Sequence, residues 1–148
     1  MPDLAPTILE LAGLAPLPTM DGRSLAGLLQ GEAVRPEAAA GWREELLIEY
    51  IATQEGVKQD RFGHILDSGN ATFRGLRRIA RGQDLAYFEF TDPYADWAFE
   101  RLAYFELYNL SADPEQLVNA YATASVATRQ ELSQRLRAMY ACVGSGCA

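Results

Sequence analysis

The stretch "ELYNLSADPEQLVN", residues 106–119, reads as a strand that stops and turns into a helix. Phe105, Leu107 and Asn109 point one way, and Tyr104, Glu106, Tyr108 and Leu110 point the other. Such period-two alternation with aromatics predicts a strand. Asp113-Pro114-Glu115-Gln116 then predicts a helix reaching about Tyr121. Asp113 is placed to cap free N–H groups, and Pro114 suits a first helical position that needs no N–H. Gln116 is placed to close a capping box onto Asp113, and Glu115 suits the positive end of the helix dipole.

Downstream, Ser125 is the expected cap of a last helix. Leu132, Leu136, Met139 and Tyr140 form its apolar stripe, and Glu131 with Arg135 is a favourable i,i+4 pair. Upstream, residues 72–80 (TFRGLRRIA) and 85–90 (LAYFEF) read as two strands joined through Arg81-Gly82-Gln83-Asp84. Residues 45–51 (ELLIEYI) read as another. Residues 31–41 look like a linker, residues 53–70 like a long polar loop, and residues 91–99 like an aromatic loop.

Near the start, Asp3 is the expected cap of a helix to about Ala12, with Leu4, Ile8, Leu11 and Ala12 on one apolar face. Asp21-Gly22 marks a turn, and Ser24 is the expected cap of a short helix ending at Gly31. The sum is an α+β fold: a small, mostly antiparallel sheet of about four strands packed by a C-terminal helix. Two short helices precede any strand and fit that layer pair poorly. A helix beginning two residues after Met1 looks like the middle of a longer chain. Met1 is then an internal methionine, a misassigned start or the edge of a truncated gene.

The 148 residues suit one domain, and 49% hydrophobic with 22% charged residues is ordinary globular composition. A net charge of -7 argues against nucleic acid or an anionic membrane as partner, since both need clustered Lys and Arg. No run of 18 apolar residues occurs, and the first residues lack the basic start of a secretory signal.

Chemistry-bearing motifs are sparse. His64, the only histidine, sits in a glycine-bounded polar loop and reads as solvated. There is no G-x-S-x-G elbow, no phosphate-cradling glycine loop, and no clustered acids for a hard metal. Arg74, Arg77, Arg78 and Arg81 form the one basic cluster, with Arg77 on the opposite strand face to Arg74 and Arg78. They suit an anion, or else pair with the excess acids on the sheet's solvent face, which is the simpler reading. Cys142 and Cys147 lie in "CVGSGC". They read either as a small disulfide ring, given an oxidising compartment, or as free thiols in a frayed tail. A tetrahedral zinc site would need a second pair. Two N-x-S/T sequons occur, at Asn70 and Asn109, and matter only in a eukaryotic secretory pathway.

Three stretches taken together resemble the sulfatase family. "DLAPTILELAGL" (3–14) is close to the family's D-[IL]-x-P-T-[IL]-L-x-L-[AT]-G helix. "MDGRSLAGLL" (20–29) carries its D-G-x-S-L turn, with Asp21, Gly22 and Ser24. "ELYNLSADPEQLVN" carries its E-L-Y-x-L-x-x-D-P-x-x-x-x-N corner, with Asp113, Pro114 and Asn119. They come in the order and spacing of the C-terminal part of sulfatases. "WREELLIEY", "LAYFEF" and the C-x4-C after "RLRAMYAC" are similar to the N-acetylglucosamine-6-sulfatase and algal arylsulfatase branch.

The resemblance implies a sulfuric ester hydrolase acting on sulfated sugars or aryl sulfates. Its nucleophile would be a formylglycine made from a C/S-x-P-x-R motif, and its cation, usually calcium, would be held by a large N-terminal α/β domain. Neither that motif nor the paired aspartates of a family N-terminus is in this sequence. The resemblance therefore implies a C-terminal portion, with no catalytic or metal residue to carry over and no activity alone. It implies that 1–41, with its two short helices, is the edge left over from the larger α/β domain and that 42–148 is the small subdomain. The missing N-terminal catalytic domain is the implied partner. In the whole enzyme the portion would shape one wall of the pocket, with Arg77, in a strand resembling the family's "xVRT" strand, as the one candidate substrate contact. Asn119 resembles the family's helix asparagine, bonding a nearby loop. A closing disulfide would suggest a secreted, periplasmic or lysosome-like parent. The alternatives are a stand-alone interaction module and one half of a split sulfatase. The Leu4/Ile8/Leu11 helix face separates them, since a module should bury it against its own sheet and a fragment should leave it bare.

Overall fold

A computed structural model describes residues 2–30, 42–51, 72–80, 82–92 and 99–142. The chain divides into two compact units, Met1–Arg43 with Met139–Ala148, and Glu44–Ala138.

The second unit is a four-stranded antiparallel sheet in the order β1-β2-β3-β4. The strands are β1 (Glu45–Tyr50), β2 (Phe73–Ala80), β3 (Gln83–Thr91) and β4 (Leu102–Asn109). Each pairs with the next in sequence, a meander, so no parallel crossover is needed. Ala80 pairs with Gln83, so β2 and β3 are joined by two residues rather than the four expected, with Gly82 at φ 78°.

The register sorts the side chains into two faces. One row runs Leu47, Leu76, Tyr87, Leu107. Flanking it on the same face are Glu45, Arg78 and Leu85 on one side and Glu49, Arg74, Glu89 and Phe105 on the other. The helix α3 (Val126–Tyr140) covers this face. Leu132 and Leu136 are fully buried, as are Leu76 and Tyr87, and together with the buried Leu107 they pack the core on this face. The helix begins as expected: Ser125 Oγ accepts the Thr128 N–H at 3.0 Å. The Glu131–Arg135 pair reaches outward instead of along the helix. Glu131 bonds Arg78 at 2.7 Å, and Arg135 bonds Glu45.

The opposite face carries an aromatic row across all four strands: Tyr50, Phe73, Phe90, Tyr104. Adjacent rings lie 5.8, 5.2 and 5.7 Å apart. Leu46, Ile48, Tyr50 and Tyr104 on this face are exposed.

The expected helix after Asp113 is absent. Gln116 takes a left-handed φ of 56°, which a helix cannot continue through and a capping box cannot use. The Asp113 carboxylate instead accepts the N–H groups of Leu117 and Val118 at 3.0 and 2.9 Å, closing a turn.

The first unit contains α1 (Leu4–Leu11) and a single-turn helix α2 (Ala26–Leu29). Asp3 does not cap α1 through its side chain. Its Oδ1 is already occupied, accepting the Arg23 N–H at 2.8 Å and Arg43 Nη2 at 2.9 Å. The buried side of α1 is Pro6 and Thr7. Leu4, Ile8 and Leu11 are 50, 64 and 59% exposed.

Candidate functional site

The corner that opens the sequence reading is a clamp on the sheet. β4 pairs with β3 on one side only, so its outer backbone groups need partners. Asn119 supplies them. Its Oδ1 accepts the Leu107 N–H at 3.1 Å, and its Nδ2 donates to the Phe105 carbonyl at 2.9 Å. Ala120 N–H then donates to the Leu107 carbonyl at 2.8 Å. One side-chain amide imitates a peptide unit of a fifth strand. The same amide accepts from Tyr121 N–H and donates to the Tyr104 hydroxyl. Asn119 thus sits in irregular backbone, not on a helix, and bonds a strand rather than a loop. The left-handed Gln116 and the Asp113 turn bring it there.

Tyr121 follows onto the covered face. Its ring stacks on Phe105 at 4.8 Å and 7°, with the Arg129 guanidinium 5.1 Å from its centre. Below it, Tyr87 donates to the buried Glu89 carboxylate at 2.9 Å. Burial first, and then the Glu89 charge, push the Tyr87 hydroxyl far above its ordinary pKa. It stays a donor at any physiological pH.

The arginine strand is tied down. Arg74 pairs with Glu49 at 2.7 Å, and Arg78 with Glu45 and Glu131, each at 2.7 Å. The expected pairing with acids is present, but these two lie on the helix-covered face rather than a solvent face. Arg77 projects to the opposite face. It contacts Asp84 and donates to the carbonyls of Arg78 and Leu85 at 3.0 and 3.1 Å. Arg81 lies outside the described residues.

Glu45 receives both Arg78 and Arg135. Burial raises its carboxyl pKa, but the hydrogen bonds and charges of Arg135 and Arg78 outweigh that. They hold it below its ordinary 4.5.

In the first unit, two of the quoted motifs form one assembly. Thr7 Oγ1 donates to the Asp3 carbonyl at 2.6 Å and accepts the Leu25 N–H at 2.8 Å. Ser24 Oγ accepts the Ala26 N–H at 3.1 Å, but Leu25 rather than Ser24 is the N-cap, no side chain caps α2, and the helix stops at Leu29, short of the expected Gly31. A Cβ on Gly22 would land on the Pro2 carbonyl, so no other residue fits beneath that backbone. Arg23 and Arg43 both lie over the Trp42 ring, at 4.7 and 5.6 Å. Asp21 is exposed at the turn. Thr7, Trp42 and Arg43 were not singled out from sequence. The T of the P-T pair in "DLAPTILEL" was the available signal for Thr7, and nothing local points to the other two.

No group of three or more His, Cys, Asp or Glu side chains converges on a cation position among the described residues. With C/S-x-P-x-R absent from the sequence, these residues do not fit the calcium and formylglycine of a sulfatase centre. No helix among the described residues is long and apolar enough to cross a membrane. His64, Asn70 and Cys147 lie outside the described residues.

No family model matches the chain. Among curated proteins it is similar to the N-acetylglucosamine-6-sulfatase of Homo sapiens, 29% identical over 159 aligned positions. The match takes in 98% of this chain and 26% of the relative. The Bos taurus protein of the same name is 28% identical over the same shares. One solved structure, holding its substrate D-glucosamine-2-N,6-O-disulfate, matches at a TM-score of 0.57 and 24% identity, over 91% of this chain and 22% of that one. A glycosaminoglycan-metabolism protein of Bacteroides thetaiotaomicron matches at 0.54 and 21%, over 90% and 24%. The chain spans about a quarter of the curated relatives it matches, and it is similar to the C-terminal portion of sulfatases.

Proposed function

We propose, with that C-terminal likeness as the premise, that this chain is the C-terminal portion of a sulfuric ester hydrolase acting on sulfated sugars or aryl sulfates. The observation that carries the reading is the coverage: nearly all of this chain aligns with a quarter of each curated relative. Residues 1–41 are the edge of the larger domain, and 42–148 are the subdomain proper. Two surfaces support a catalytic domain as partner. One is the exposed outer part of the sheet's aromatic face, with Leu46, Ile48 and Tyr104. The other is the bare Leu4/Ile8/Leu11 side of α1. A stand-alone module would bury such faces.

The subdomain's role is to hold a wall of the pocket rigid. Arg77 stands on the aromatic face and is the candidate contact for a sulfate or carboxylate of the substrate. To bind, its guanidinium would exchange Asp84 for the incoming anion. Cys142 and Cys147 close the terminal ring as a disulfide, which suits an oxidising compartment. Intact mass before and after reduction and alkylation tests the ring.

The purified chain is expected to release no sulfate from an aryl sulfate, with or without calcium. Turnover that depends on a residue of this chain would overturn the reading. Reading the DNA upstream of the Met1 codon for an in-frame C/S-x-P-x-R supplies the complementary test.

A further inference from the structure

We infer that Asp84 is a built-in competitor at the Arg77 site: its carboxylate holds the guanidinium until an outside oxyanion takes its place. The inference rests on the proposed role of Arg77 as an anion contact and adds what regulates it. Strand alternation puts both residues on the aromatic face, Arg77 opposite Ala86 and Asp84 opposite Ile79. The row of Arg77 runs Leu46, Arg77, Ala86, Tyr108, and the next row adds an acid, Glu106, so Arg77 is the one cation in the two rows. Arg78, on the covered face, is shared by two carboxylates, Glu45 and Glu131. Among the described residues, Asp84 is the one carboxylate on Arg77.

Three acceptors converge on one nitrogen. Arg77 Nη1 donates to the Arg78 and Leu85 carbonyls at 3.0 and 3.1 Å and contacts Asp84 Oδ1. The carbonyls belong to paired strand residues and stay where the sheet puts them. They aim the guanidinium whether or not Asp84 is on it. Asp84 is held differently. Its backbone is fixed, since its carbonyl accepts the Leu110 N–H at 2.7 Å, but its side chain is 36% exposed and can turn into water. Its Oδ1 accepts no hydrogen bond beyond the Arg77 contact. Nε and Nη2 of Arg77 bond nothing among the described residues. An oxyanion takes an arginine through two parallel N–H groups, so it needs one of those nitrogens. While Asp84 stays, the guanidinium is already neutralised and the newcomer meets a like charge beside it. Removing the Asp84 charge therefore strengthens anion binding, and the main-chain carbonyls keep the site formed.

The test titrates methyl sulfate, and separately acetate, into the purified full chain. Binding is followed on the Arg77 Nε–H resonance by NMR, identified by its loss in Arg77→Gln. Asp84→Asn should lower the dissociation constant about fivefold, the upper end for a partly exposed ion pair. Asp84→Glu keeps the charge and should stay with the unaltered chain. Tightening with either anion supports the competitor, and the larger gain names sulfate ester or carboxylate as the ligand class. A second measurement needs no variant. Saturating anion should shift the Asp84 side-chain carboxyl carbon signal of the unaltered chain, because the exchange frees it. Equal affinity in Asp84→Asn, with that signal unmoved, would overturn the competitor and leave Arg77 as a contact. No binding at Arg77 in any of these proteins would remove the Arg77 contact itself, and the competitor with it.

Discussion

Asn119 gathers more of the fold than any other polar side chain described here. Its amide bonds Leu107, Phe105, Tyr121 and Tyr104 at once. Asn119→Ala strips partners from the partly buried edge of β4, and such loss costs roughly 1 kcal/mol per bond and more where a group is left dry. The expected destabilisation is about 2–3 kcal/mol in urea unfolding, at unchanged m value. Asn119→Asp keeps both accepting bonds and loses both donating ones, so it should fall between wild type and alanine. If alanine costs no more than an ordinary surface change, within about 0.5 kcal/mol, the clamp is not what holds this edge. The residue was legible as part of a motif; its partners were not. Three of the four lie twelve to fifteen positions away, and no local pattern encodes a side-chain amide standing in for a strand. Asp3 was misread for a related reason. Capping is the commonest local use of such an aspartate, and here Arg23 and Arg43 outcompete the helix for it.

At the scale of elements, the strands were readable because period-two alternation survives in β1 to β4, with a buried row opposite an aromatic one. The last helix was readable from its cap and its Leu132/Leu136 spacing. The corner was not, because an aspartate-proline start fits a turn as well as a helix. The left-handed backbone at Gln116 decides between them. Leu136→Ala should cost about 2–5 kcal/mol, the range for emptying a packed leucine site, seen as a lower denaturation midpoint. A cost near zero would mean that α3 is not seated on the sheet. The helix is also fastened by charge. Glu45 has a folded pKa below its unfolded value, so its contribution is fully present above the ordinary 4.5 and is lost as pH falls through the lower folded value. Melting temperature should therefore drop on acidification below about 4.5, and Glu45→Gln should flatten that limb. An unchanged acid slope in Glu45→Gln would assign the loss to other carboxylates.

For the molecule as a whole, the distinctive property is apolar surface without a cover. Leu4, Ile8 and Leu11 are each at least half exposed, and Leu14 and Leu17 are both 58% exposed. Ile8→Lys should leave stability within about 0.5 kcal/mol, as exposed sites do, while lowering self-association and binding of a hydrophobic dye. Losing several times that in stability would mean that Ile8 is covered in solution. No window of this sequence could announce that exposure. The periodicity of α1 states that an apolar side exists, and only the surroundings state whether anything lies against it.

The closed flank at Asn119 also gives the sheet a direction. Strand-for-strand recruitment, whether by a client peptide or by a misfolded copy of the chain, is barred along β4 beside Leu107. Among the described strands, β1 pairs with β2 alone. A ribbon that grows by strand addition should then use the Glu45–Ile48 side of the sheet, and a proline placed at Leu47 should slow it more than one placed beside the Asn119 clamp.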